Sequence, residues 1–500
     1  MSDFATQYTL IIFFLMVLFL IWRPRGISEA IPPTISAILI FLAGIVPLSD
    51  ITKILGIVSG ASITILSTIV MSIVLGSIGF FRWAAYNLVN RANGSGILLY
   101  WYIILLCFLM TLFFNNDGSI LITTPIIIEI VKFLRLKPHQ QFPYLLSGAL
   151  IATAASAPIA VSNLANLIAL KIVGLDLNSY VAMMFVPSMV GIAVISLLLY
   201  YYFRRDIPSR IPTVLISYAQ GKLSVSLSSI PHHPGPPHPA HSHPAHPHPD
   251  LHIDHLRHPK HVRHPRHENL VGHPRHQNSI EKVDQPVEID MSMFRVCIVL
   301  IVLIRAGLFI GASFGIPIEL IGTIGAILLI LYRWYKKRAG PLDIVMKTPW
   351  HIILFAFSIY VVVYALHNIG LTALLVEHLR EPVSANYLNA SLISGGLLTV
   401  MSNLFNNLPS VMIGTFTLTE MGLNTSTLQI AYLASIIGSD IGALLTPIGT
   451  LASLIWMFLL RENHIRVSWA DYLKVTIMVI PIGLIISLLS LYVWVDSLFF

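Results

Sequence analysis

The sequence predicts an all-α polytopic membrane protein, and three observations support this fold class. Hydrophobic side chains make up 56% of the 500 residues and charged ones only 11%, whereas soluble domains carry roughly 25% charged residues. The mean hydropathy of +0.79 is that of a chain that contacts lipid. The apolar residues form continuous runs of about 20, the length of a membrane-crossing helix. A lipid-facing β-barrel would require alternation instead.

The overall charge and the cysteines exclude other classes of protein. We interpret the net charge of +7 through membrane topology and predict no nucleic-acid partner. Cys107 and Cys297 both lie in apolar runs, so the chain has no disulfide framework and no zinc-finger spacing. The chain also lacks a Walker-type phosphate loop, an H-E-x-x-H motif and a G-x-S-x-G motif. We therefore predict that it is not an enzyme and needs no cofactor.

The first apolar run indicates which way the chain enters the membrane. No Lys or Arg precedes this run, about residues 8–22, whereas Arg23 and Arg25 follow it. This charge order differs from that of a cleaved signal peptide. It predicts an N-terminus outside and a first loop in the cytoplasm.

The remaining apolar runs follow the same plan twice, in an N-terminal repeat (1–203) and a C-terminal repeat (291–500). In the first repeat the predicted segments are 8–22, 27–47, 57–80, 97–134, 142–172 and 179–203. In the second repeat they are 291–311, 316–332, 349–371, 385–421, 427–460 and 470–496. Two segments in each repeat are too long for one span and contain polar, Gly-bearing or Pro-bearing interruptions.

These interruptions match between the two repeats. The stretch 114–119 (Phe-Asn-Asn-Asp-Gly-Ser) corresponds to 405–410 (Phe-Asn-Asn-Leu-Pro-Ser), and about 40 residues later 157–160 corresponds to 446–449. Interrupted hydrophobic segments at corresponding places are the sequence signal of a transporter with inverted repeats and a midplane binding site. We predict re-entrant hairpins at about 97–134 and 385–421, and broken helices at about 142–172 and 427–460.

The distribution of basic residues tests this arrangement. If each hairpin returns to the side it entered, each repeat crosses the membrane five times and the second repeat is inverted. Seventeen Lys and Arg residues then lie in short cytoplasmic stretches, against three outside (Lys53, Lys171 and Arg380). This bias predicts a multi-pass protein of the inner or plasma membrane with both termini outside.

Residues 204–290 between the repeats are Pro-rich and hold fifteen of the twenty histidines, from His232 to His276. Such a composition cannot bury a core, so we predict a disordered cytoplasmic linker. Six histidines recur every third residue and could bind a divalent metal weakly: His252, His255, His258, His261, His264 and His267. The plainer interpretation is a low-complexity repeat that tolerates drift. No metal site is predicted in the membrane core.

Polar side chains at the four breaks are the candidate substrate-binding residues. Backbone broken at membrane depth requires polar partners, and broken helices direct their terminal dipoles at the break. The candidates are Asn115, Asn116, Asp117, Ser162, Asn163, Asn166, Asn406, Asn407, Ser439 and Thr446. Together they predict a compact, mostly neutral pocket that suits a small polyhydroxyl solute or a dehydrated cation. For any single Asn the alternative is helix–helix hydrogen bonding.

Asp117 and Asp440 are the predicted proton-coupling residues. Ionisable groups inside a membrane are costly and are functional by default. Burial disfavours the charged carboxylate, so either residue could carry a proton. The alternative is a carboxylate that caps a helix N-terminus and stays ionised. Glu129 is expected to pair with Lys132, and Arg305 is expected to reach the membrane surface.

Several motifs resemble those of the arsenical pump membrane protein family, the ArsB-type arsenite/antimonite permeases of the ion-transporter superfamily. They span nearly the whole chain except the histidine-rich linker. The matching stretches are 79–85, 116–118 with 124–125, 161–164, 203–208, 348–350 with 370–372, 406–409, 438–442 and 446–449.

The resemblance implies export of arsenite and antimonite in exchange for protons, by alternating access. It also implies a possible cytoplasmic ATPase subunit as partner. Arsenite is an uncharged trihydroxide at neutral pH, which fits the neutral pocket. Two cysteines cannot provide three thiolates for As(III).

The sequence departs from the family pattern at three places. Asn115 stands where relatives usually have Ala, Thr153 where they have an acid, and Ala443-Leu444 where they have Pro-Lys. The missing acid and the missing lysine lie on the two corresponding broken helices. We therefore hypothesise that relatives form an ion pair that is lost here as a unit.

Two other functions stay open. One is a carrier of the same superfamily for a carboxylate or sodium, although no basic residue lies within the predicted breaks. The other is a membrane-anchored metal reservoir that uses the histidine tract. Deleting residues 231–277 would abolish a reservoir but leave export intact.

Overall fold

The computed structural model describes residues 3–22, 27–219, 222–228, 287–288, 291–338 and 340–499. Nearly all of them are helical, and ten helical segments are long and apolar enough to cross a membrane. The first repeat contains α1 (Asp3–Trp22), α2 (Ile31–Leu42), α3 (Leu48–Ser77), α4 (Phe80–Arg91), α5 (Gly96–Phe113), α6 (Asn116–Phe133), α7 (Pro138–Ala154), α8 (Leu164–Val173) and α9 (Leu177–Phe203). The second contains α10 (Met291–Ser313), α11 (Ile318–Lys337), α12 (Leu342–Lys347), α13 (His351–Asn368), α14 (Leu371–Ser384), α15 (Tyr387–Phe405), α16 (Asn407–Glu420), α17 (Thr425–Asp440), α18 (Leu451–Glu462) and α19 (Trp469–Leu498). The predicted helical, polytopic membrane fold is confirmed.

A small antiparallel sheet occupies the described ends of the linker. It consists of β1 (Thr213–Ala219), β2 (Lys222–Ser228) and β3 (Val287–Glu288), in the order β1-β2-β3. The backbones of these strands pair in a continuous ladder, and the disordered linker predicted for 204–290 stays a prediction. The predicted histidine tract, including His252 to His267, lies outside the described residues.

The helices end at the predicted interruptions. Helix α5 ends at Phe113 and α6 begins at Asn116, whereas α15 and α16 meet at Asn406, which has a positive φ of 74°. Helices α7 and α8 are separated by turns and a 3-10 helix at Ala160–Ser162. Helices α17 and α18 are separated by one at Gly442–Leu445. The polar residues of the sequence thus lie where the backbone leaves helical geometry.

Three short helices were not anticipated from the sequence: α4, α12 and α14. Helix α4 follows Gly79 and α14 follows Gly370, and both glycines adopt a left-handed conformation, with φ of 86° and 93°. A side chain is strained in that conformation, so glycine lets the chain turn sharply into each helix. Each helix then packs against the returning arm of its own hairpin, α4 on α6 and α14 on α16.

Several contacts between the two repeats occur in pairs, in which each helix of one contact is replaced by its equivalent in the other repeat. Helix α2 packs on α13 as α11 packs on α3, and α8 packs on α16 as α18 packs on α6. Each broken helix therefore rests on the hairpin of the other repeat. The ends of α7 and α17 that lead into the breaks are deeply buried, because every residue of 143–154 and 430–440 is buried.

Helices α9 and α19 are equivalent and pack directly against each other. Trp494 Nε1 donates to the Ala182 carbonyl (3.0 Å), and Ser487 Oγ donates to the Pro187 carbonyl (3.0 Å). Gly483 lies against Ile195. Residue numbers rise along one helix as they fall along the other, so the two helices run antiparallel.

Glycine allows a very close approach between α15 and α17. A β-carbon added at Gly438 would overlap the carbonyl oxygen of Gly395, and one added at Gly442 would overlap the side chain of Thr399. Thr399 Oγ1 also lies 3.4 Å from the Gly438 carbonyl. The outgoing arm of the second hairpin and the broken helix of the same repeat are thus in backbone contact.

Candidate functional site

Asp440 lies at the C-terminal end of α17, directly before the break, and is fully buried. Its carboxylate accepts three hydrogen bonds from the broken helix of the first repeat. Ser156 Oγ lies 2.8 Å from Oδ2, Asn163 Nδ2 lies 2.8 Å from Oδ1, and Asn166 Nδ2 lies 2.7 Å from Oδ2. The two broken helices therefore meet side chain to side chain. We call these four residues the Asp440 cluster.

The local folding of the first repeat explains why these donors converge. Ser156 follows the end of α7, Asn163 caps the N-terminus of α8, and Asn166 lies in the first turn of α8. Asn163 Oδ1 accepts from the Ala165 N–H (3.0 Å), which leaves its amide nitrogen to face Asp440. The N-terminus of a helix is also favourable for a nearby anion.

The groups that hydrogen-bond to the Asp440 cluster are otherwise neutral. Tyr180 donates its hydroxyl to the Ala157 carbonyl (2.6 Å), and Tyr432 donates to the Asn166 carbonyl (3.1 Å). Ser439 Oγ lies 3.1 Å from the Ile436 carbonyl of its own helix and also within reach of the Asp440 carboxylate. Among the ion pairs described for the chain, none involves Asp440. The carboxylate is thus held by dipoles alone.

Asp117 has a different environment. It lies in the first turn of α6, is only partly buried, and is close enough to Glu29 and Asp440 to feel their negative charges. Asn116 Oδ1 accepts from the Asp117 N–H (2.8 Å). The position suits a carboxylate stabilised by a helix N-terminus. The choice between proton carrier and helix cap stays a prediction for both acids.

The first hairpin break is closed by Arg305, which the sequence did not place there. This residue projects from α10 and donates from Nε to the Phe113 carbonyl and from Nη2 to the Phe114 carbonyl, both at 2.6 Å. The expectation that Arg305 reaches the membrane surface is wrong, because 94% of the residue is buried, with 6% exposed. Carbonyls at a helix C-terminus carry partial negative charge, which explains why a guanidinium is stable here.

The second hairpin break is built differently. The ring of Phe405 packs against Phe13 and Phe14 of α1, with ring centroids 5.3 and 6.1 Å apart. Asn406 Nδ2 donates to the Ile448 carbonyl (3.2 Å). Aromatic contacts from α1 therefore occupy the place that Arg305 of α10 takes in the first repeat.

Asn403 connects the second hairpin to its broken helix. Its Nδ2 donates to the Gly442 carbonyl (2.9 Å), and its Oδ1 accepts from the backbone N–H (2.8 Å) and the hydroxyl (2.9 Å) of Thr446. Thr446, a predicted binding residue, thus has both donors engaged by protein. Asn407 is buried at the first position of α16.

Several buried polar atoms at the breaks lack a hydrogen-bond partner among the described residues. Asn115 Oδ1 and Asn406 Oδ1 occupy equivalent positions in the two hairpins, and both side chains are 1% exposed. Ser162 Oγ and Asn166 Oδ1 of the broken helix are in the same condition, as is Arg305 Nη1. A buried polar atom without a partner is costly, so a bound ligand that supplied partners would be stabilised here.

A pocket of about 500 Å³ runs beside the returning arm of the first hairpin. Its walls include Leu121 and Pro125 of α6, with Glu129 and Lys337 among the lining side chains. Glu129 was expected to pair with Lys132, but instead Tyr86 donates to it (2.9 Å). Lys132 Nζ contacts Asn463 at the end of α18, 3.3 Å from its Oδ1. The α6 arm thus has a polar surface on the side predicted to face the cytoplasm.

Of the predicted site residues, the structure joins Asp440 to Asn163 and Asn166 across the repeats. It places Asn115, Asn116 and Asp117 at one hairpin break and Asn406 and Asn407 at the other, and it turns Ser439 and Thr446 toward protein partners. Convergence of the two hairpins on one solute stays a prediction. Sequence analysis missed Ser156, Asn403 and Arg305. Their only signal was closeness to a break for the first two, and a charge in an apolar run for the third.

Comparison with known proteins identifies the family. The family model described as Citrate transporter (CitMHS) matches residues 12–438. A protein of Bacillus subtilis (strain 168) whose name contains the words arsenical pump membrane protein is 44% identical over 487 residues, covering 97% of this chain and 99% of that one. The Arsenical pump membrane proteins of Escherichia coli and Yersinia enterocolitica are each 28% identical, covering 94% of this chain and 95% of theirs.

The family model extends into the second repeat and ends at residue 438, before the fourth break, whereas the relative from Bacillus subtilis covers 97% of the chain. The helical segments are those of a multi-pass membrane protein. The family and these relatives are transporters rather than enzymes, as predicted. The chain therefore belongs to the citrate transporter (CitMHS) family of membrane transporters and is similar along its whole length to arsenical pump membrane proteins.

Proposed function

We propose that this protein is a secondary transporter that exports arsenite and antimonite, as neutral trihydroxides, in exchange for protons. The observation that carries the proposal is the buried, unpartnered amide oxygen of Asn406 at the second hairpin break, to which Asn115, where relatives usually have Ala, adds an equivalent oxygen at the first. A trihydroxide offers three O–H donors, which would satisfy such acceptors. The names of the relatives from Bacillus subtilis and Escherichia coli point to the same substrate class.

The exchanged proton would bind to one of the two carboxyl groups of the breaks. Asp440 and Asp117 are within electrostatic reach of each other, so one proton between them relieves the repulsion. Substrate and proton would then use the same region in turn. The protein would work in the inner or plasma membrane.

The two repeats would be inverted relative to each other, with both chain ends outside and the histidine-rich linker in the cytoplasm. The antiparallel contact of α9 with α19 supports inversion, because these helices hold the same place in the two repeats. Alternating access would then arise from movement of the hairpins and broken helices against the other helices. A cytoplasmic ATPase subunit is a further partner that the resemblance implies.

A resistance assay tests the proposal. A host without its own arsenite exporter would express the wild type, Asp440→Asn or Asn407→Ala, and growth would be measured with arsenite and antimonite. We expect resistance from the wild type and its loss in both variants at equal membrane abundance. A well-inserted wild type that gives no resistance would overturn the proposal.

A carboxylate carrier is the second candidate, and two observations favour it. The family model is described as Citrate transporter. Arg305 also brings a buried cation, with an unpartnered Nη1, to the first hairpin break, where the sequence had indicated no basic residue. Uptake of radiolabelled citrate by wild-type vesicles, lost in Arg305→Met at equal membrane abundance of folded protein, would favour this candidate over arsenite export.

A further inference from the structure

The hydroxyl group of Ser156 has one hydrogen but lies within hydrogen-bond distance of two acceptors. Its Oγ lies 2.7 Å from the Thr153 carbonyl oxygen and 2.8 Å from Asp440 Oδ2, and both of these atoms are acceptors when Asp440 is ionised. A hydroxyl group has one hydrogen and two acceptor sites. One of the two short contacts therefore lacks a proton as long as Asp440 is a carboxylate.

A proton on Asp440 completes both contacts. Asp440 Oδ2 would donate to Ser156 Oγ, and the Ser156 hydroxyl would donate to the Thr153 carbonyl. Asn166 Nδ2 can still donate to the second lone pair of Oδ2, and Asn163 Nδ2 still donates to Oδ1. The three contacts of the carboxyl group and the contact between Ser156 and Thr153 then have one hydrogen each.

The neighbouring groups do not supply this hydrogen. Ser156 and Asp440 are both fully buried. The titratable groups within electrostatic reach of Asp440 are Asp117, Tyr180 and Tyr432. Both tyrosine hydroxyls already donate to backbone carbonyls, so neither has a hydrogen left for Ser156 or Asp440.

We propose that Asp440, rather than Asp117, holds the exchanged proton, and that Ser156 is the positioning residue that accepts it as a hydrogen bond. This inference rests on the proposed proton-coupled function and specifies its proton site. When the proton leaves to water, the Oδ2–H bond breaks and the carboxylate keeps the electron pair. The Ser156 hydroxyl then turns from Thr153, in its own repeat, to Asp440 in the other.

Protonation thus changes which acceptor the Ser156 hydroxyl donates to, while its contact with Asp440 persists in both states. In the protonated state the Ser156 hydroxyl donates to the last turn of α7, and in the ionised state it donates to the end of α17. The Thr153 carbonyl keeps a partner in both states, because it also accepts from the Ser156 backbone N–H (3.1 Å). The broken helices therefore keep three hydrogen bonds between them in both states, and these bonds are charge-assisted when the proton is absent.

Infrared difference spectroscopy of the full-length protein in lipid, titrated with acid in H₂O and D₂O, tests the proposal. We expect a carboxylic acid C=O band that shifts in D₂O and is missing in Asp440→Asn but present in Asp117→Asn. Ser156→Ala removes the acceptor of the acid hydrogen, so the band should move to higher wavenumber. Ser156→Thr, which keeps a hydroxyl group, should restore its position.

Two further variants guard against misfolding and indirect effects. Ser156→Cys keeps the size of the side chain but accepts more weakly, so it should also raise the wavenumber. Ser435→Ala, on α17 with a hydroxyl bonded only to its own helix, should leave the band unchanged. A band that is lost in Asp117→Asn instead, or that ignores Ser156→Ala and Ser156→Cys, would overturn the inference.

The outcome is distinguishable from a failure of the proposed function. A wild type that shows the Ser156-dependent band but moves no arsenite in vesicles would overturn arsenite export and support the proton site. A wild type that moves arsenite while the band ignores Ser156 would support export and overturn this inference.

Discussion

At the scale of single residues, the hairpin asparagines separate a structural role from a binding role. A residue that only joins helices would have both its amide oxygen and its amide nitrogen bonded to protein, as Asn403 does. Asn406 has a bonded nitrogen and an unpartnered, buried oxygen, and Asn115 also has an unpartnered oxygen. The oxygens are therefore the atoms whose loss should affect substrate more than folding.

Removing these oxygens should weaken substrate binding. Asn115→Ala suits the extended backbone there, whereas Asn406→Gly suits the positive φ of 74° at the second break. One lost hydrogen bond of about 1.5 kcal/mol corresponds to roughly tenfold weaker binding. We expect the KM for arsenite in everted vesicles to rise by about that factor in each variant. Asn87→Ala is the control and should match the wild type, because the Asn87 side chain bonds the α4 backbone. Unchanged kinetics in all three variants would contradict the prediction.

Arg305 should stabilise the folded protein. Arg305→Met would leave the carbonyls of Phe113 and Phe114 without their donors, at about 1–3 kcal/mol for each buried group. We expect a lower temperature of unfolding in detergent, measured by fluorescence-detected size-exclusion chromatography. Arg305→Lys should recover part of the loss, because a lysine amine can still donate to a carbonyl. A Met variant as stable as the wild type would show that Arg305 does not hold the break.

Sequence reasoning found Asp440, Asn163 and Asn166 because they are polar groups at membrane depth. It could not pair them, since their contact depends on how two repeats separated by more than 270 residues pack. Ser156 carried only the weak signal of lying near a break, because a serine in an apolar run is common. Arg305 was misplaced because its position also depends on packing, since its partners are about 190 residues away in the sequence.

At the scale of elements, the breaks were easier to predict than the helices between them. Two Asn residues next to Gly or Pro are incompatible with an uninterrupted apolar helix, so 114–119 and 405–410 marked the hairpins directly. Helices α4 and α14 carry too many polar residues to form an apolar run, and α14 is strongly amphipathic. In the sequence they cannot be distinguished from loops, and they are recognised as helices only from their packing against the hairpins.

The two broken helices give a test of their mutual contact. Helix α7, which carries Thr153, touches the turn that carries Leu444, and both residues are buried. Thr153→Asp or Leu444→Lys alone would bury an uncompensated charge, at about 3–5 kcal/mol. The double variant could form the ion pair hypothesised for relatives, so its membrane abundance and resistance should exceed those of either single variant. Losses that simply add would count against a direct contact.

At the scale of the whole molecule, the equivalent packing of the repeats implies a defined topology. Lys53→Cys and Arg380→Cys should react with an impermeant maleimide added outside intact cells, and Lys336→Cys only after permeabilisation. All three positions are exposed, and the native thiols, Cys107 and Cys297, are buried and give little background. Labelling of Lys53→Cys and Arg380→Cys from opposite sides would contradict inverted repeats.

The contact between Gly438 and Gly395 limits how this transporter can move. Two backbones that touch leave no gap through which a solute could slip, and they cannot slide by a helical turn without collision. The outgoing arm of the second hairpin and its broken helix must then travel as one rigid block. Any passage that opens during the cycle has to form along the other faces of that block, where larger side chains can part and close again.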